Sequence, residues 1–294
     1  MKLEPICVGC LFNQVYKTLK LLKSDVSKKV IIDTQKKLMK FLLESNLNDL
    51  SAPLIGKYVY ELVGDVLNEK DPFREHKKEY NKLALKYYDE LKRLIQNSKN
   101  PLFKSIIVSA LGNTIDFASQ HKIDIVKDLK KFSKKDLIIN DFPKFEEALT
   151  RKIVLVILLD NAGEIVFDKI LIETLIDKYP QLEIICAVRT TPIINDATIE
   201  DAEYVNLTSI VKVIDSSPAP GIDFSNLSED LEKLLYNEKV IILSKGQGNF
   251  ETLYDVELPN LDIFYLLKAK CELMEEIFNV KIGKLIFKKK SLKM

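Results

Sequence analysis

One stretch limits what this chain can fold into more than any other. Ile153-Val-Leu-Val-Ile-Leu-Leu159 is an unbroken apolar run, and Asp160-Asn161-Ala-Gly163-Glu164 follows it at once. A strand that is apolar at consecutive positions is buried on both faces, as in a parallel sheet covered by helices. It stops at a carboxylate and a carboxamide, which are costly to bury unless something there binds them. Gly163 permits a tight turn or the close approach of a ligand. Glu164 then opens an amphipathic helix with Ile165, Val166, Phe167, Ile170, Leu171 and Leu175 on its apolar face. Ligands of open α/β sheets sit beyond the carboxyl ends of the strands, so Asp160 and Asn161 stand where an active site is expected.

The same pattern recurs downstream. Apolar segments Leu182–Val188, Val211–Ile214, Val240–Leu243 and Ile263–Leu267 alternate with helical periodicities, and Lys284–Phe287 reads as an edge strand. Strands that alternate with helices predict an α/β fold with a mostly parallel sheet. Residues up to about 149 read as helical, with Leu54, Tyr58, Leu62 and Val66 as one example of the spacing after Ser51-Ala-Pro53. The expected organisation is a helical lobe over residues 1–149 and an α/β catalytic domain over 150–294. No Gly/Ser linker separates them, so one folding unit is expected.

Composition removes several function classes. Lys+Arg 44 against Asp+Glu 43 argues against a general nucleic-acid or membrane-surface role. The longest apolar run is far shorter than the ~20 residues of a membrane helix. The first residues lack the apolar core of a secretion signal, and four cysteines make no disulfide framework, so a cytoplasmic location is expected. Only two histidines occur, which disfavours a Ser-His-Asp triad or a His-rich zinc site. Neither of the standard glycine-rich nucleotide loops is present.

Each downstream strand ends in polar residues. Arg189-Thr-Thr-Pro-Ile-Ile-Asn195-Asp196-Ala-Thr198 follows the second, Asp215-Ser-Ser217 the third, Ser244-Lys245-Gly246-Gln-Gly-Asn249-Phe-Glu251 the fourth and Lys268-Ala-Lys270 the fifth. On a parallel sheet these ends share one edge, a plausible place for a divalent cation and a phosphorylated ligand. Asp-Asn-Ala-Gly-Glu, Pro-x-x-Asn-Asp-Ala-Thr and Ser-Lys-Gly-Gln-Gly-Asn-Phe-Glu, in this order, resemble the damage-control phosphatase family, also known as domain of unknown function 89. Cys7-x-x-Cys10 and Gly112-Asn113-Thr-Ile-Asp116 are similar to its mainly prokaryotic branch.

The resemblance implies a Rossmann-like sheet sandwiched by helices and a metal-dependent phosphatase acting on small phosphometabolites, such as sugar phosphates or phosphorylated cofactor fragments. Asp160, Asn161 and Asp196 are then the metal ligands, and Lys245 and Asn249 join Asp160 as catalytic residues. Gly246, Lys270, Asn113 and Asp116 join Lys245 and Asn249 around the substrate, with Glu164 and Asn195 behind the ligands. Leu267-Lys-Ala-Lys270 keeps only the final Lys of a later family motif. An oxygen-only ligand set suits Mg²⁺, Mn²⁺, Co²⁺ or Ni²⁺. The nucleophile is either a metal-activated water or Asp160 itself. The same residues have plainer readings: Asp160-Asn161 as a helix cap, Asn195-Asp196 and Ser216-Ser217 as turns, Lys245 as a loop lysine. Cys7 and Cys10 lack the second pair a zinc ribbon needs, and packing or a place beside the site is favoured over redox catalysis. A carboxyl methyltransferase and a non-catalytic phosphometabolite sensor are the competing functions.

Overall fold

The structure, a computed structural model, describes residues 1–112, 137–258 and 260–291. Three helices, α1 (Pro5–Leu22), α2 (Lys28–Glu44) and α3 (Ala52–Leu67), enclose a core of their own around Leu11, Val15, Leu38, Ile55 and Val59. Pro5 and Pro53 sit in the first turns of α1 and α3, where a missing N–H costs nothing. The next three, α4 (Arg74–Leu85), α5 (Tyr88–Gln96) and α6 (Pro101–Gly112), leave that bundle.

The rest is one seven-stranded sheet: β1 (Leu137–Asn140), β2 (Val154–Leu158), β3 (Glu183–Val188), β4 (Lys212–Asp215), β5 (Val240–Lys245), β6 (Asp262–Lys268) and β7 (Leu285–Lys289). Helices α7 (Phe142–Arg151), α8 (Glu164–Lys178), α9 (Ile199–Tyr204), α10 (Glu229–Leu235), α11 (Gly246–Leu253) and α12 (Glu272–Phe278) alternate with the strands. The sheet order is β1-β7-β6-β5-β2-β3-β4, and β6–β7 is the antiparallel pair. Every residue of β2 is buried, as its unbroken apolar run requires. Leu155 and Ile157 face a core with Ile106, Phe145 and Ile165, whereas Val156 and Leu158 face one with Leu231, Phe250 and Met274. This is the period-2 alternation of a sheet covered on both sides.

Two expectations are corrected. Residues 137–140 are strand rather than helix, because a four-residue apolar run carries no period that separates the two. β7 is not an edge: it lies between β1 and β6, and Leu285, Ile286 and Phe287 are buried on both faces. Helix α7 crosses the expected boundary at residue 149, and α6 packs along α8.

The strand order marks where a ligand is expected. From β2 the chain steps outward to β3 and β4, then returns through α10 to β5 on the other side of β2. The carboxyl ends of β2 and β5 therefore flank the topological switch point, the crevice in which ligands of open α/β sheets sit.

Candidate active site

Two turns meet at this crevice. The turn after β2 carries Asp160 and Asn161, and the loop after β3 carries Asn195 and Asp196. Asn161 and Asp196 form an antiparallel bridge. The Ala162 N–H donates to the Asn195 carbonyl at 2.8 Å and the Ala197 N–H to the Asp160 carbonyl at 2.8 Å. These bonds zip the two polar segments together and leave both carboxylates buried, Asp160 at 8 % and Asp196 at 4 % exposure. The loop is strained next to Asp196: Ile194 has φ 48°, a left-handed conformation that a β-branched side chain rarely adopts.

Arg189, the residue after β3, lies beneath them at 1 % exposure. Its Nε donates to Asp196 Oδ2 at 2.7 Å, and its Nη1 to Asn249 Oδ1 at 2.8 Å and to the Gly221 carbonyl at 3.2 Å. Its Nη2 is 3.7 Å from Asp160 Oδ1. Asn249 in turn donates to the Lys245 carbonyl at 2.8 Å and the Leu159 carbonyl at 3.2 Å, tying α11 to the end of β2. Gly246, at φ 78°, opens α11 directly against Asp160: a Cβ there would fall 2.0 Å from Asp160 Oδ2. Only glycine allows this approach.

Lys245 is fully buried below the crevice. Its Nζ reaches Glu164 Oε1 at 2.5 Å and Asp168 Oδ1 at 2.6 Å, and Ser109 Oγ donates to the same Asp168 oxygen at 2.5 Å. Glu164 and Asp168 lie one helical turn apart on α8, so both carboxylates face one ammonium. Asn161 Nδ2 donates to Asp160 Oδ2 at 2.8 Å and to Glu164 Oε2 at 3.4 Å, joining this cluster to the upper one.

The electrostatics follow from burial. Desolvation pushes the Glu164 carboxyl up to about 7, with Lys245 opposing and Asp168 and Asp160 adding to the rise. Desolvation likewise pushes Asp196 up to about 6 against the pull of Arg189. Burial works to lower the Lys245 pKa, yet Asp168 and Glu164 overcome it and the net shift is upward, so the lysine stays charged. Fully ionised, Asp160, Glu164, Asp168 and Asp196 outnumber Lys245 and Arg189 by two negative charges. A divalent cation would balance that surplus, and Asp160, Asn161 and Asp196 offer it hard oxygen donors. Among the described residues no three His, Cys, Asp or Glu side chains form a ready metal cage, so ligands besides Asp160 and Asp196 would have to come from the Asn161 carboxamide and water. The donor set thus fits a Mg²⁺-like ion better than zinc.

A cleft of about 650 Å³ opens beside the Asp196 loop, between α3, the segment Asn68–Phe73 and Thr191–Ile194. Burial raises the pKa of Tyr60 on its wall, a hydrogen bond with Thr18 opposes this, and the Asp196 charge adds to the rise.

The sequence matches the Damage-control phosphatase ARMT1-like domain over residues 3–286. The chain belongs to this family. It is 33 % identical to a protein named damage-control phosphatase from Archaeoglobus fulgidus, over 98 % of this chain and 99 % of that one. It is 31 % identical to damage-control phosphatase PH1575 from Pyrococcus horikoshii over the full length of both. The crystal structure of that duf89 family protein superposes with a TM-score of 0.85 at 29 % identity, covering 99 % of this chain and 100 % of the other.

In this damage-control phosphatase fold Asp160, Asn161, Glu164, Asn195, Asp196, Lys245, Gly246 and Asn249 lie near one another at the carboxyl ends of β2, β3 and β5. Lys270, exposed after β6, lies close enough for its charge to lower the Asp196 pKa. Asn113 and Asp116 fall outside the described residues. Lys245 meets carboxylates here rather than open solvent, and Asn249 serves as a buried strap. Ser217 is a turn residue: its Oγ accepts from the Asp223 N–H at 2.9 Å and donates to the Gly221 carbonyl at 3.0 Å. Cys7 is half-buried with its thiol pushed up to about 11 by burial, and Cys10 is exposed. A thiol that stays protonated is a poor nucleophile and a poor ligand. Arg189, Asp168 and Ser109 enter the cluster without a motif of their own. The available signal was position: Arg189 ends a buried strand, and Asp168 follows Glu164 by one turn on a wholly buried helix segment.

Proposed function

We propose that this family member is a divalent-metal-dependent phosphatase acting on small phosphate esters. The observation that carries the reading is the zipped pair of turns at the switch point, which sets Asp160, Asn161 and Asp196 side by side over a buried excess of negative charge. A bound ion would supply Lewis-acid polarisation of a phosphoryl oxygen.

The chain's own groups divide the remaining work. Asp160, Asn161 and Asp196 hold the ion. Arg189 fixes the Asp196 and Asn249 side chains at once through its forked donors. The first-turn amides of α11, with the helix dipole behind them, suit phosphate oxygens at this edge of the sheet. Lys270 adds a solvent-side positive charge on the same edge. Lys245 keeps Glu164 and Asp168 from overloading the site with uncompensated charge. The cleft beside Ile193 and Ile194 receives the organic part of the ester, with Tyr60, Glu61 and Asp71 within its walls. Its lining, which sets Lys57, Lys70 and Glu61 beside Phe73 and Ile193, suits the organic part of a sugar phosphate or a phosphorylated cofactor fragment.

Hydrolysis of para-nitrophenyl phosphate after exhaustive chelation, then with Mn²⁺, Co²⁺, Ni²⁺ or Mg²⁺ returned singly, tests this. Activity should vanish on chelation and return with metal. Undiminished turnover in protein shown metal-free by elemental analysis contradicts the metal reading. Tight phosphometabolite binding without turnover under any metal makes the protein a sensor instead.

A further inference from the structure

Both turns that carry the candidate ligands are held from outside the sheet by one buried side-chain pair. Asn81, on α4 and wholly buried, accepts the Gly163 N–H through Oδ1 at 2.6 Å. Gly163 sits at φ 81° as the N-cap of α8, three residues after Asp160, so this N–H has no partner within the helix. The Asn81 Nδ2 donates to Asp201 Oδ1 at 2.9 Å. The other Asp201 oxygen accepts from the Thr198 N–H at 3.0 Å and from Thr198 Oγ1 at 2.9 Å. Thr198 stands two residues after Asp196. Lys77 closes the network, with Nζ 3.4 Å from Asp201 Oδ2 and 2.9 Å from Asp71 Oδ2 on the cleft wall.

The capping box of α9 accounts for Asp201 Oδ2 alone. Its Oδ1 points across to a different helix, where Asn81 carries the contact on to the Asp160 turn. The pair is dry, since Asn81 is 0 % and Asp201 5 % exposed. Hydrogen bonds in such surroundings are stiff, and a displaced partner leaves a buried polar group unmet.

We propose that Asn81 and Asp201 are positioning residues for the metal site: from the helical half of the chain they brace the two turns that the Asn161–Asp196 bridge joins. The inference rests on the metal reading above. Outer-shell partners of metal ligands commonly change affinity by about 10–100-fold when removed.

Calorimetric titration of the full-length, metal-free protein with Mn²⁺, well below its unfolding temperature, tests it without recourse to activity. Asn81→Ala should weaken Mn²⁺ binding by about 10–100-fold. Asn81→Asp alone sets two carboxylates against each other and should weaken it at least as much. Asn81→Asp combined with Asp201→Asn exchanges donor and acceptor, still accepts from Gly163, and should recover most of the affinity. A merely structural pair would lower the melting temperature without this pattern. Wild-type Mn²⁺ affinity in folded Asn81→Ala overturns the proposal. Should that variant not fold, equal affinities of Asn81→Asp and the exchanged pair overturn it. Asp196→Ala is the reference: if it binds Mn²⁺ as the wild type does, the metal reading fails; if it loses binding while the Asn81 variants keep theirs, only the positioning role fails.

Discussion

Arg189 Nη1 donates a 2.8 Å hydrogen bond to Asn249 Oδ1. That bond spans β2, linking the loop after β3 to the helix after β5, and the same guanidinium holds Asp196. Arg189→Met should cost about 3–5 kcal/mol of stability, the scale of breaking one side of a buried ion pair. Arg189→Lys keeps the charge but cannot bond both partners in one plane, so it should recover stability before turnover. Denaturant midpoints and phosphatase rates on the two variants separate these effects, and a fully active Arg189→Lys enzyme would remove the fork from the argument.

Lys245 gives a second separation. Lys245→Ala strands Glu164 and Asp168 without their counter-charge and should destabilise by about 3–5 kcal/mol. Adding Asp168→Ala removes one of the stranded carboxylates and should restore much of that loss. Turnover should stay low in the double variant if the ammonium also serves the reaction. Recovery of rate along with stability would confine Lys245 to the fold.

Gly246→Ala places a methyl group 2.0 Å from Asp160 Oδ2 on a backbone at φ 78°. The conformation alone costs on the order of 1–3 kcal/mol for a residue with a Cβ, and the overlap must move Asp160. Mn²⁺ titration and hydrolysis assays should both report loss of function. An unchanged Mn²⁺ affinity would mean that Asp160 is not where the ion binds.

The pH dependence of the metal-free protein follows from Glu164. Its carboxyl is raised from 4.5 to about 7 by burial, so between those values the folded state binds more protons than the unfolded chain. Stability is fully present below about 4.5 and is lost as pH rises through about 7, a sign opposite to that of an ordinary salt-bridged carboxylate. Asp196, raised to about 6, adds to the same trend. Melting temperatures across pH 5–8 should therefore fall, at roughly constant salt, and bound metal should flatten the slope. A metal-free protein that gains stability over this window would contradict the charge surplus.

Cys7→Ser with Cys10→Ser should leave the single-turnover rate of folded, metal-loaded enzyme unchanged, since the raised Cys7 pKa keeps that thiol protonated at neutral pH. A loss of more than about a hundredfold would put a cysteine in the chemistry.

Much of this was legible in the residues. The apolar run ending at Asp160 predicts both the buried strand and its place at the switch point, because burial on two faces leaves a distinct pattern. Asp196 and Asn249 stand out through the motifs around them, Pro-x-x-Asn-Asp-Ala-Thr and Ser-Lys-Gly-Gln-Gly-Asn-Phe-Glu. Arg189 was visible only as the end of a strand, and its fork on Asp196 and Asn249 depends on strand order, which periodicity does not contain. Asn81 shows the limit most clearly: it occupies an ordinary position in a charged helix, and its importance comes from a glycine N–H far along the chain. Leu137–Asn140 escapes for a different reason: the strand is too short to display any period.

The place of β1 also has a bearing on how the molecule is made. Its partner is β7, which is synthesised after every other strand of the sheet. During translation β1 must wait, with its apolar residues exposed, until residues 285–289 emerge and fold back beside β6. Pairings this distant in sequence slow folding and lengthen the exposure of unpaired edges. The parallel core from β2 to β6 can assemble first, so the rate at which full-length protein becomes protease-resistant should track the docking of β7 rather than the formation of the crevice. A nascent chain halted before β7 would then carry the crevice but display an open sheet edge for chaperones to find.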